Sequence, residues 1–141
     1  LFSQRYEAVL GSNPVQHVAP FTKLTDRLFT PVLEAALASS KRVISCAAVA
    51  RDGYLPTHNQ KFSLPQGSDA VWNAAHCRNR RIYDDRVGLK AGRNTKPFLL
   101  QVYRRDMGGD DFRIMKDISA PIMVNGRHWG GLRLAYDFRQ A

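Results

Sequence analysis

Residues 111–137, DFRIMKDISAPIMVNGRHWGGLRLAYD, constrain the fold more than any other stretch of the chain. Asn125-Gly126 is a strong hairpin signal, because a two-residue type I′ turn needs positive φ at both central positions and Asn and Gly tolerate it. Before the turn, Phe112, Ile114, Ile118, Ala120, Ile122 and Val124 share one parity, and Lys116 shares it with them. After it, Leu132, Leu134, Tyr136 and Phe138 alternate with Arg133, Ala135 and Asp137. Alternation with period two predicts strands with one covered and one partly wet face, the apolar parity being the covered one. Residues 97–105, PFLLQVYRR, read as a further strand, and MGGDD as the turn after it. The last third is therefore a three-stranded antiparallel meander.

The run 43–50 is small or apolar at every position but one, as in a central strand covered on both sides. Asp52-Gly53 turns the chain, and 54–59 returns beside it at the sheet edge, since Pro56 cannot donate to a ladder. Pairing the last strand with the first gives a five-stranded antiparallel sheet of order 2-1-5-4-3, with strands numbered along the chain. Ahead of the sheet, Asn13-Pro14 reads as a helix start. Phe21, Leu24, Leu28 and Val32 then recur at helical spacing, with Leu33 and Leu37 widening the stripe. Pro31 predicts a kink or a break there, with Thr30 placed to cap a second segment. Between the two groups of strands lie a loop over 60–68, a helix over 70–83 capped by Ser68-Asp69, and a long loop over 84–97. The fold class is α+β: a single domain, with 1–42 as the leading helical region and 43–138 as the core. The leading helix covers one sheet face. The helix-and-loop excursion roofs the other, with room for a small ligand beneath it.

The 141 residues suffice for one core without staples. No run reaches the roughly 18 apolar residues of a membrane span, no signal peptide is evident, and a start at Leu1 reads as a piece of a longer protein. Two cysteines, Cys46 and Cys77, give no metal or haem-attachment spacing. The net charge is +9, and nine of the cations fall within 78–105 against Asp84 and Asp85. Such a segment suits phosphate, anionic lipid or a small anion, or it is a solvated face. No G-x-S-x-G, H-E-x-x-H or phosphate loop is present, so no catalytic residue and no cofactor is assigned.

The stretches DGYLPTHNQKFSLPQG, WNAAHCRNRRIYDDRVGLKAGRNTKPFLLQVYRRDMGG and MKDISAPIMVNGRHWGGLRLAY resemble the PAS-like Cache sensor domains of bacterial methyl-accepting chemotaxis proteins. The resemblance covers most of 52–136. It implies a non-enzymatic PAS/Cache-like domain that binds a small metabolite and passes a conformational change to a methyl-accepting signalling module. That module works as a homodimer and controls a histidine kinase. The resemblance also implies a location on the cytoplasmic side of a bacterial cell, with the periplasmic sensor region of a membrane receptor as the alternative. A basic interaction module for nucleic acid or an acidic protein partner is the alternative function, though the sensor reading assigns no nucleic acid.

The candidate ligand-binding residues are Asn73, Cys77, Arg81, Arg86, Tyr103, Lys116 and Asp117. Lys116, on an apolar parity, must form an ion pair, bend outward or meet a ligand, and Asp117 beside it points the other way. Arg81 and Arg86 flank Asp84-Asp85 and present planar forks suited to an anion, or else pair with those aspartates. Tyr103 either packs or turns its hydroxyl into the cavity. Asn73 and Cys77 sit four apart on one helix face. His76-Cys77 with His58 is a poor metal set, since adjacent helical residues point about 100° apart, so no metal is assigned. Within RHWGG, Trp129 fills space and Gly130-Gly131 permit close approach, which makes the motif frame and places any chemistry elsewhere.

Overall fold

The computed structural model describes residues 1–108 and 110–137. Elements follow in the order β1 (Glu7–Ala8), β2 (His17–Val18), α1 (Thr22–Ala38), β3 (Val43–Ala50), β4 (Tyr54–Leu55), β5 (Thr57–His58), a 3-10 turn (Gln60–Phe62), α2 (Ala70–His76), β6 (Arg81–Ile82), α3 (Arg86–Arg93), β7 (Leu99–Gly108), β8 (Asp111–Val124) and β9 (Arg127–Asp137). The architecture is α+β around a five-stranded antiparallel sheet of order β5-β3-β9-β8-β7. Two small ribbons, β1-β2 and β4-β6, stand apart from it. Asn125 and Gly126 turn β8 into β9 with φ of 50° and 75°, as a type I′ turn requires.

Several expectations are corrected. The leading helix does not begin at Asn13-Pro14; β2 intervenes and the helix starts at Thr22. Pro31 lies inside an unbroken α1 and splits nothing. The helix face is also offset from the predicted one. Leu24, Leu28 and Val32 are exposed, whereas Phe21, Thr22, Thr25 and Leu33 are buried. Polar anchors fix that choice: Thr22 Oγ1 and Tyr54 Oη are hydrogen bonded at 2.9 Å, and Asn59 Nδ2 donates to the Leu33 carbonyl at 2.9 Å. Asn59 Oδ1 in turn accepts from the Cys46 amide, so one buried amide side chain ties α1 to the sheet. The predicted edge strand over 54–59 is divided at Pro56, with Tyr54–Leu55 pairing Arg81–Ile82 and Thr57–His58 pairing β3. The second helix ends at His76 rather than near 83. Beyond it Arg80 takes a left-handed conformation with φ 66°. The stretch read as a long loop contains α3, whose N-terminus is capped by Asp85 accepting from the Gly88 amide at 2.9 Å. Phe138 and Gly109 lie outside the described residues.

The largest correction concerns which side of the sheet is covered. On β8 the odd residues Met115, Asp117 and Ser119 are buried, while Ile118 and Ala120 on the apolar parity are exposed. On β9, Ala135 and Asp137 are more buried than Leu132, Leu134 and Tyr136. Alternation distinguishes two faces but does not say where the rest of the chain will lie. Here the α2–β6–α3 excursion covers the polar-bearing face. The helix α1 covers the other face only over β3 and its neighbours, leaving Leu100 and Val102 of β7 half exposed.

The RHWGG segment is structural frame. Trp129 packs edge-on against Phe21 and Phe29. A Cβ on Gly130 would fall 2.0 Å from the Val49 carbonyl oxygen, and one on Gly131 would fall 2.3 Å from that of Ala91. Glycine at these positions lets β9 lie against β3 and lets α3 rest with its backbone on the sheet.

Candidate functional site

Between the sheet and the excursion lies a cavity of about 340 Å³. Its floor comes from one face of four strands: Ser45 and Ala47 of β3, Arg133 and Ala135 of β9, Asp117 of β8, and Tyr103 and Arg105 of β7. Its roof comes from Arg78, Tyr83 and Asp85, and His58 of β5 closes one end. The strand pleat produces this set, because residues two apart on one strand face the same side and antiparallel pairing aligns those faces.

Charge dominates the cavity. Asp117 is 1% exposed; its Oδ2 accepts from Arg133 Nε at 3.0 Å and forms an ion pair with Nη2 at 3.0 Å. Burial raises the Asp117 carboxyl above its ordinary value even though the Arg133 charge pulls it down. Burial disfavours the Arg133 cation, but the charge and hydrogen bond of Asp117, with Tyr103 and Asp85 adding to them, together outweigh it, so the guanidinium titrates above its usual value. Arg105 differs. It is 8% exposed, and among the described residues it has no ion pair and no hydrogen bond; its guanidinium lies over the Phe62 ring at 5.3 Å. Burial, with the Arg78 charge adding to it, lowers its titration to about 10. A buried cation without a counter-charge is costly. His58 accepts the Asn59 amide at Nδ1 (2.7 Å), so its Nε2 carries the proton. Burial and the charges of Arg78, Arg105 and Arg133 hold it well below the ordinary histidine range, and it stands neutral at the cavity end.

The seven sequence-predicted residues divide. Tyr103 and Asp117 line the cavity. Lys116 does not: it lies on the opposite sheet face, across from Val102 and Tyr136, because adjacent strand residues point to opposite sides. Arg81 lies against the Tyr83 ring (4.7 Å) and donates to the Ala74 carbonyl, outside the lining. Arg86 is exposed and borders a shallow groove with Leu89, Lys90 and Arg93. Asn73 is buried within α2, where its side chain bonds both backbone groups of Gly67 and the Asn13 carbonyl. Cys77 is fully buried, with Sγ 4.0 Å from Asn73 Oδ1, and burial raises its thiol. Both organise the roof from outside the cavity.

Sequence reasoning passed over Arg78, Arg105 and Arg133 as site residues and weighed His58 only as a metal ligand. Their signal was a parity: Tyr103 with Arg105, and Arg133 with Ala135, mark the wet-looking face that the roof covers. His58, His76 and Cys77 belong to different surroundings, and among the described residues no group of three His, Cys, Asp or Glu could hold a metal ion. Among the same residues no helix is long and apolar enough to cross a membrane.

A second hollow of about 380 Å³ lies beneath the first residues of the chain, beside Trp129. There Arg93 Nε donates to the Arg51 carbonyl and Arg127 stacks on Phe2 at 3.9 Å.

Arg80 joins the roof to α1. Two residues beyond Arg78, it grips Asp26 with both Nη atoms, at 2.8 and 2.6 Å, and donates to the Pro56 carbonyl. Thr57 Oγ1 also donates to Asp26 Oδ1. Burial alone would raise the Asp26 carboxyl, but the bonds from Arg80 and Thr57 outweigh it and hold the group below its usual value.

Comparison with protein-family models, with curated proteins and with solved structures returned no match to this chain.

Proposed function

We propose that this chain is the ligand-sensing domain of a bacterial chemoreceptor, of the PAS-like Cache kind, and that it binds a small anionic metabolite in the roofed cavity without transforming it. The observation that carries the proposal is Arg105: a largely buried guanidinium facing a half-open cavity with no counter-charge among the described residues. Such a group gains most when an anion arrives, since the charge-assisted bonds replace an uncompensated desolvation. The inward position of Arg105 and Arg133 also argues against a nucleic-acid module, which needs its cations on an open face.

Signalling follows from the Arg80–Asp26 link. An anion drawn to Arg78 favours one position of the loop that also carries Arg80, and Arg80 holds α1. Ligand thereby shifts the population of roof and helix arrangements together. In this reading the helix passes the change to a methyl-accepting module, which acts as a homodimer on a histidine kinase at the cytoplasmic side of the membrane. The sequence resemblance supports these partners.

The test is a thermal-shift screen of the purified domain against carboxylates, phosphates, nitrate and purines, with Arg105→Met in parallel. A compound at 100 times its Kd adds about 2.7 kcal/mol, several degrees for a domain of this size. The expected result is a shift by an anionic compound class that Arg105→Met abolishes. No shift by any anion, or a shift unchanged in Arg105→Met, would overturn the proposal.

A further inference from the structure

The valence of the ligand can be argued from the same cavity, and the argument rests on the sensory reading above. Arg78, Arg104, Arg105 and Arg133 line the space with Asp85 and Asp117, Arg104 being exposed at the edge and stacked on the Phe112 ring at 4.0 Å. Neither carboxylate serves Arg78 or Arg105. Asp117 is taken by Arg133, and Asp85 sits at the α3 N-terminus with its Oδ2 on the Gly88 amide. Among the described residues the Arg78 guanidinium has only a long bond to the Ala74 carbonyl, 3.4 Å, and the Tyr83 ring at 5.7 Å. Arg105 has only the Phe62 ring. One cation comes from the roof and the other from the floor, and they are close enough that the Arg78 charge depresses the titration of Arg105. The nearest histidine, His58, stays neutral and offers a proton rather than a further charge.

A single negative charge would neutralise one of these guanidinium groups and leave the other repelling its neighbour across a low-dielectric space. Two negative charges satisfy both, and each guanidinium can then make paired bonds to a planar or tetrahedral oxyanion. We infer that the cavity selects a dianion, a small dicarboxylate or a phosphate monoester, held between Arg78 of the roof and Arg105 of the floor. Because the two cations stand on opposite walls, the dianion is also what draws roof and floor together.

The experiment measures binding at pH 7.5 by calorimetry with matched probes of different valence: succinate against its monomethyl ester, and inorganic phosphate against dimethyl phosphate. Wild type, Arg78→Met and Arg105→Met are compared, each first checked for a cooperative melt, and Arg78→Lys serves as the charge-retaining control. The expected result is at least a tenfold preference for the dianion within one pair, reduced in both methionine variants and partly kept in Arg78→Lys. Which pair shows the preference separates the carboxylate from the phosphate source. Equal binding of monoanion and dianion, or a preference that survives Arg78→Met, overturns the valence inference and leaves the sensory reading standing. Absence of binding by every probe and by every anion of the wider screen overturns both.

Discussion

The two faces of the central sheet invert the usual relation between polarity and burial. The face bearing Asp117, Arg133, Arg105 and Ser119 lies under the α2–β6–α3 roof and is largely shut off from water. The face bearing Leu100, Val102 and Ile118 is only partly covered by α1, and these side chains remain 50%, 55% and 36% exposed. The first face holds charge around a half-open cavity; the second leaves apolar area in contact with solvent. A sheet built for stability alone would be turned over. The arrangement is intelligible if the covered face exists to meet something that the protein does not itself supply.

That contrast can be broken at adjacent residues. Asp117→Ala removes the partner of buried Arg133 and should lose about 3–5 kcal/mol in denaturant titration, because a buried charge is left uncompensated. A loss under 1 kcal/mol would mean that Arg133 escapes to water and that the face is not closed. Arg105→Met should act in the opposite direction, stabilising the ligand-free domain by roughly 1–4 kcal/mol, since it replaces an unmatched buried cation with an apolar side chain of similar reach. A destabilised variant would show that the guanidinium has a protein partner.

The pH response tests the same enclosure. His58 is held below the ordinary value of 6.5 in the fold. As pH falls below that value the unfolded chain takes up a proton that the native state refuses, so stability is present above it and is lost on acidification. The slope should approach 1.4 kcal/mol per pH unit between about pH 6 and 5. Asp26, held below its ordinary value, adds a loss of the same sign in more acid solution, whereas Asp117, held above its own, opposes it. A flat profile between pH 7 and 5 would place His58 in contact with solvent. At the small end, Ile118→Ser and Val102→Ser on the open face should each change stability by about 0.5 kcal/mol or less, as surface substitutions do. A much larger loss in the isolated chain would mean that this face is packed.

The strands and turns were legible because their signals are local. Asn125-Gly126, Asp52-Gly53 and the alternation through 111–137 each depend on backbone chemistry within a few residues. The α3 helix was not, since Gly88 and Gly92 lower helix propensity, Gly88 where the Asp85 carboxylate caps the helix and Gly92 where α3 meets the Ala50 carbonyl of the sheet. The candidate site was half legible for a different reason. Parity placed Tyr103 and Asp117 on one face, but nothing local says that the polar parity will be the roofed one. That outcome depends on 70–93 folding back across β7–β9, a contact far away in sequence. The same rule that brought Asp117 in removed Lys116, one residue away. The face of α1 was misjudged similarly, because Thr22, Thr25 and Asp26 find distant partners in Tyr54, Thr57 and Arg80.

The contact of Gly131 with Ala91 gives the roof unequal sides. Along α3, main chain lies on main chain with no side chain between, so that margin has neither slack to take up nor bulk to compress. Along α2 the roof is held through side chains such as Asn73 and through single amide bonds such as Arg78 to the Phe62 carbonyl. The cover is hung like a door, with its hinge post at α3 and its latch side at α2. Arg80, on the latch side, is the residue fastened to Asp26 of α1.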